Sequence, residues 1–178
     1  MRNMFYGATS FSGDLSQWNV SKVLTMFGMF DGATNFNSDL SQWDVSNVRL
    51  MVLMFNQASS FNGDISQWDV SSVLSLSRTF RGAAAFNQSL AAWNVARVQS
   101  MHETFYAASS FNESLASWVT SELTDMYGMF REAEDFNQDI GNWDVSSVTD
   151  MRSMFRHAEQ FNQDIGNWDV GNVTNMVR

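Results

Sequence analysis

The chain has 178 residues, of which 44% are hydrophobic and 14% aromatic, with ten Lys and Arg set against nineteen Asp and Glu for a net charge of −9. That apolar content excludes a disordered segment, and an acidic chain without a basic run lacks the footprint that nucleic acid binding needs. Cysteine is absent, which removes disulfides and thiolate metal sites.

One 25-residue unit fills the chain from its first residue. Copies begin at Met1, Met26, Met51, Leu76, Met101, Met126 and Met151, and a partial eighth begins at Met176. No copy gains or loses a residue. A strict period of this length predicts a solenoid, in which each unit buries its apolar face against its neighbours. Residues 1–178 are therefore one repeat array.

Stacking the copies turns the unit into columns. The first Phe column runs Phe5, Phe30, Phe55, Phe80, Phe105, Phe130, Phe155, and Ala8 to Ala158 follow three residues behind it at the same period. A second Phe column runs from Phe11 to Phe161. Leu15, Leu40, Ile65, Leu90, Leu115, Ile140 and Ile165 form an aliphatic column, and Trp18 to Trp168 form a Trp column. These are expected to fill a continuous core, each large side chain contributing about 1.5–3 kcal/mol on burial. The invariant Ala marks a close approach between layers. The competing reading of the Trp column is an exposed stripe that stacks on sugar faces.

Within a copy, Val148, Met151, Met154, Phe155 and Ala158 recur at three- and four-residue steps, which predicts a short helix capped by Ser146 or Ser147. The same pattern runs from Val23 to Ala33 and from Val48 to Ala58. Residues 162–170 predict a brief strand and a turn. The expected fold is thus an α/β solenoid, a leucine-rich-repeat-like stack of seven 25-residue units, each a short parallel strand plus a short helix. The Asn column, Asn37 to Asn162 with Ser12 in its first place, predicts buried amides bonding the backbone of their own and the adjacent turn.

The unit M-F-x-x-A-x-x-F-N-Q-D-I-x-x-W-D-V-S-x-V-T-x-M, spelled almost letter for letter at 129–151 and 154–176, resembles the BspA-type leucine-rich repeat, a 25-residue mycoplasma lipoprotein-type repeat of unknown function. The resemblance covers the whole chain. It implies a leucine-rich-repeat solenoid, and a place among bacterial and protist surface proteins implicated in adhesion and protein binding, outside the cell or on its surface. It carries no catalytic residues. Copies four and five depart from the pattern: Ser89 and Ser114 replace Asp, Thr79 and Thr104 replace Met, and Trp118-Val119-Thr120-Ser121-Glu122-Leu123 replaces W-D-V-S-x-V. A rebuilt turn is expected around residues 115–125.

Two acidic columns are the candidate sites. One holds Asp14, Asp39, Asp64, Asp139 and Asp164, and the other Asp44, Asp69, Asp144 and Asp169. Carboxylates stacked at about the 4.8 Å strand spacing repel by roughly 1 kcal/mol per pair in water. Turn capping through backbone N–H bonds offsets this. A calcium ladder along the first column, or a basic partner, is the functional alternative. Nothing else implies a cofactor. His102 and His157 sit in different copies at variable positions, so both are expected on the solvated surface and the chain is not expected to be an enzyme. The variable residues between Ala and the second Phe, such as Glu134-Asp135 and Glu159-Gln160, are expected to line a ridge of contacts.

The expected role is a non-enzymatic scaffold that presents an extended surface to proteins or surface glycans. The alternatives are a structural spacer in a larger surface protein and a carbohydrate-binding module built on exposed Trp. No apolar run is long enough to span a membrane, and no charged-then-apolar secretion segment opens the chain. Neither end carries a polar capping unit, which predicts a place within a longer array or pairing with other chains.

Overall fold

A computed structural model describes residues 1–176. The seven copies stack in phase, and the apolar columns form one continuous core. The Phe rings of the first column stack copy on copy, with centroids 5.6 Å apart between Phe30 and Phe55, 5.8 Å between Phe55 and Phe80, and 5.6 Å between Phe80 and Phe105. Within a copy the two Phe columns lie face to face, as in Phe55 and Phe61 at 3.9 Å. Trp43, Trp68, Trp93, Trp118 and Trp143 are each only 3% exposed, whereas Trp18 and Trp168 in the outer copies are partly buried. The repeat and the core columns are therefore as the sequence predicts.

The expected helix and strand are not. No helix occurs among the described residues, and regular strand pairing reduces to one parallel bridge per interface. That bridge falls on the last residue of the unit, Thr25 to Leu50, Leu50 to Ser75 and so on to Asn175, not on the segment 162–170 where a strand was expected. Each copy is instead a chain of tight turns. In copy three the N–H of Met54 donates to Met51 O, Ala58 to Phe55 O, Phe61 to Ala58 O, Trp68 to Ile65 O and Val73 to Val70 O. Core residues stand at both ends of these three-residue steps. A β-turn returns the chain to the same side after three residues, as a helix does after three or four, so apolar spacing alone does not separate the two.

Two left-handed residues per copy decide the matter. The third and seventh residues of every unit have positive φ: Asn3 and Gly7, Gly28 and Gly32, Leu53 and Gln57, and so on to Ser153 and His157. A left-handed residue at the third place of a four-residue turn is the mark of a type II turn. It also breaks a helix, because αL costs an L-residue about 1–2 kcal/mol. The N–H groups released by this path do not go unpaired. Those of Met51, Leu53, Phe55 and Gln57 donate to Ser75 O, Ser77 O, Thr79 O and Arg81 O, each 24 residues on. The same alternate positions do so between every pair of successive copies from one to six, so donors face the next copy and acceptors the previous one. Layer-to-layer bonding thus replaces the i to i−4 ladder of the helix.

The Asn column bonds the backbone of the adjacent copy as expected, but not that of its own turn, and it is not buried. Asn37 Oδ1 accepts from Asn62 N–H at 2.8 Å, and the ladder continues through Asn87, Asn112 and the half-buried Asn137 to Asn162, the others being exposed. The departure in copy five rebuilds nothing. Leu123 N–H still closes its turn on Thr120 O at 2.9 Å. Thr120 fills the usual Val slot, 2% exposed, with its hydroxyl donating to Asp144 O. Thr79 and Thr104 also stay buried, their hydroxyls donating to Met51 O and Leu76 O.

Candidate functional site

The candidate Asp residues all act as turn caps. Asp14, Asp39, Asp64, Asp139 and Asp164 each accept, through Oδ1, the N–H two residues on, at 2.8–2.9 Å. Asp44, Asp69, Asp144 and Asp169 do the same, and Asn19 and Asn94 cap their own copies with an amide oxygen. Ser89 and Ser114 cap more loosely, at 3.4 Å. Among the described residues no three His, Asp or Glu side chains gather at one point.

At Asp14, Asp39, Asp44, Asp64 and Asp144 the cap lowers the carboxyl pKa. The Ser16, Ser41 and Ser66 N–H groups, aided by the serine hydroxyls, hold Asp14, Asp39 and Asp64 below their ordinary 3.8. At Asp44 and Asp144 the Ser46 and Ser146 hydroxyls lead and the N–H follows. The charges of Asp14 and Asp64 push Asp39 up, but by less than its cap pulls it down. A carboxyl whose folded pKa is depressed stabilises the fold above its unfolded pKa and loses that contribution as pH falls through the folded value. The urea midpoint is therefore expected to hold from neutral pH down to about 4 and to fall below it. Asp39→Asn keeps an acceptor, as Asn19 and Asn94 do, and should keep the neutral midpoint while flattening the acid decline. Asp39→Ala should lower the midpoint at neutral pH. Equal midpoints for the two variants at neutral pH would remove capping as the role of this column.

The Trp column faces inward and makes a bond that its spacing does not announce. Trp93 Nε1 donates to Ile65 O, 28 residues back, at 3.0 Å, and Trp43, Trp68, Trp118, Trp143 and Trp168 repeat this to the preceding copy. Among the described residues no Trp is exposed, so there is no Trp stripe for sugar to stack on.

Chemical diversity lies on the outer turns, at the second, third and sixth residues of each unit. The second residues are Arg2, Phe27, Val52, Ser77, His102, Tyr127 and Arg152, and the sixth are Tyr6, Asp31, Asn56, Arg81, Tyr106, Arg131 and Arg156. In copies four to seven these side chains interlock. The Tyr106 ring lies between the Arg81 and Arg131 guanidiniums, at 4.7 and 4.9 Å. Tyr127 lies between the His102 ring at 4.7 Å and the Arg152 guanidinium at 5.1 Å. Such contacts contribute ~0.5–1 kcal/mol each at exposed sites. His102 is not freely solvated as expected: it is half-buried, and its Nδ1 donates to Asp125 Oδ2 at 3.2 Å. Burial pushes Asp125 up, but the bonds from His102 and the Tyr127 N–H outweigh it and hold the carboxyl below its usual value. His157 is exposed. Glu134-Asp135 and Glu159-Gln160 are exposed on a separate ridge, which in copies three to five carries only Ser59-Ser60, Ala84-Ala85 and Ser109-Ser110.

The sequence reading passed over the outer-turn positions because nothing in one copy marks them. A signal existed in the alignment of copies, where Gly28 and Gly128 stand at the third place and Gly7, Gly32 and Gly82 at the seventh. Glycine recurring at two fixed places indicates left-handed turns there, and hence tips that face outward.

A family model described as "Mycoplasma protein of unknown function, DUF285" matches residues 1–92 and again residues 74–178. No curated protein and no solved structure matches the chain.

Proposed function

The chain belongs to that family of unknown function, and from this premise we propose that it is a non-enzymatic repeat scaffold that presents an extended surface for protein binding or adhesion at the cell surface. One observation carries the reading. The seven copies hold the same buried columns, while the second, third and sixth residues change from copy to copy on the outer turns. A rigid stack with a variable edge suits recognition of a large partner, since solenoids use extended surfaces in this way. The likeness of 129–151 and 154–176 to the BspA-type leucine-rich repeat supports the kinship and the surface location within this proposal. The partner is a protein or a surface glycan, and the net charge of −9 argues against nucleic acid. No helix among the described residues is long and apolar enough to cross a membrane.

The test is solid-phase binding of the whole chain to a panel of extracellular-matrix proteins, with calcium and with chelator. Saturable binding to at least one is expected. It should weaken when Tyr106 and Arg131 are both replaced by alanine, and persist in Asp39→Asn. Loss of binding in chelator would turn the first Asp column back into a calcium ladder. Silence across the panel from a folded chain would overturn the proposal and leave a structural spacer.

A further inference from the structure

We infer that the two end layers of the stack are complementary, and that copy one of a second chain docks head to tail on copy seven of the first. Among the described residues, five of the six exposed large apolar side chains lie on these layers: Met4, Tyr6 and Leu24 in copy one, and Val170 and Met176 at the far end. The internal copies show what each layer lacks. The fourth residue of the unit is covered by the copy before it. Met29, Met54 and Met129 are buried, as is Met154 in the last copy, whereas Met4 is 52% exposed. The twentieth residue is covered by the copy after it. Val45, Val70 and Val145 are buried, as is Val20 in the first copy, whereas Val170 is 39% exposed. A cavity of about 390 Å³ opens beside Val170, lined in part by Met154, Phe155, Ile165 and Trp168.

The backbone groups match in the same sense. Inside the stack the fifth and seventh residues donate to the fourth and sixth of the next copy, as Phe55 does to Thr79 O and Gln57 to Arg81 O. In the other direction the tenth and twenty-fourth donate to the ninth and twenty-fourth of the copy before, as Ala85 does to Ser59 O and Gln99 to Leu74 O, and Trp93 Nε1 donates to Ile65 O. At the two ends the corresponding donors make no bond among the described residues. Laid on copy seven in the internal register, copy one of a second chain completes all five. Phe155 and His157 donate to its Met4 O and Tyr6 O. Its Ser10, Leu24 and Trp18 Nε1 donate to Glu159 O, Thr174 O and Ile165 O. Backbone donors and acceptors in an apolar layer need partners at fixed places, and a second copy carries them at those places. The side chains agree: Tyr6, 67% exposed, falls on the Arg156 guanidinium, the pairing that Tyr106 makes with Arg81 at 4.7 Å. Met176 already begins the eighth unit and competes with the incoming Met1 for one place, but all five bonds use incoming residues from Met4 onward.

The inference does not rest on the protein-binding reading, and its test uses no other protein. The whole chain is sedimented over a range of concentrations. Its mean mass should climb past that of a dimer without levelling, because a head-to-tail contact leaves an end open at every step. Met4→Asp places a charge on one end layer and Val170→Asp on the other, and burying either charge unpaired is costly. Each variant alone should stay at the mass of one chain. Mixed, they keep one intact face each, and should form dimers and stop there. In the mixture the Trp18 indole N–H of the Val170→Asp chain gains an acceptor and should exchange more slowly than in the single chain. A chain shortened to end at Asn175 should associate more tightly than the full one. Both substituted side chains are exposed, and Trp emission checks that the variants keep the fold. A native chain that stays single at every concentration would overturn the inference and leave the end layers to a unit of another protein. Association unchanged in both variants, a mixture that does not pair, or a shortened chain that no longer associates would overturn it as well.

Discussion

Replacing Phe80 by alanine is expected to lower the stability of the chain by about 3–5 kcal/mol. The ring is fully buried. It lies 5.8 Å from Phe55 in the copy before and 5.6 Å from Phe105 in the copy after, with Phe86 4.2 Å away in its own copy. Truncation therefore weakens two interfaces at once and leaves a void that the flanking layers cannot close without moving their own backbone bonds. In a stack where each unit touches only its neighbours, position matters. Phe5 is only partly buried and contacts a copy on one side, Phe30 at 5.4 Å, so Phe5→Ala should cost less. Urea denaturation of both variants measures this. Equal losses would mean that the rings do not act as a ladder.

Trp93→Ala should be as costly, again about 3–5 kcal/mol, and Trp93→Phe separates its two contributions. Phenylalanine restores most of the apolar contact but not the indole N–H. The bond to Ile65 O is then lost, worth about 0.5–1.5 kcal/mol, although that carbonyl keeps the Trp68 N–H. The order of stability is expected to be native, then Phe, then Ala. A Trp93→Phe variant as stable as the native chain would show that the Nε1 bond contributes nothing.

Much of this architecture was legible in the sequence, for a physical reason. A period of 25 makes each column a repeated experiment on one structural slot, so Phe, Ala and Trp columns read as core without knowledge of the backbone. The Asp caps were also readable, because Asn19 and Asn94 substitute for Asp where only an oxygen acceptor is needed. The backbone path was not. Val48, Met51, Met54, Phe55 and Ala58 sit at spacings common to helices and to successive turns, and the left-handed residues at Leu53 and Gln57 are not glycine. The outer-turn contacts were hidden for another reason. They join side chains 25 residues apart, Arg78 to Glu103 and Asp31 to Asn56, and such pairings exist only once the copies are stacked in phase.

The claim that the aromatic columns are structure is tested most directly by hydrogen exchange of the seven indole N–H groups, followed by NMR. Six of them, from Trp43 to Trp168, donate to the carbonyl of the preceding copy, and no such bond forms at Trp18. Slow exchange at Trp43, Trp68, Trp93, Trp118 and Trp143, intermediate exchange at Trp168 and fast exchange at Trp18 are expected. Fast exchange at all seven would place the rings in solvent and contradict the account.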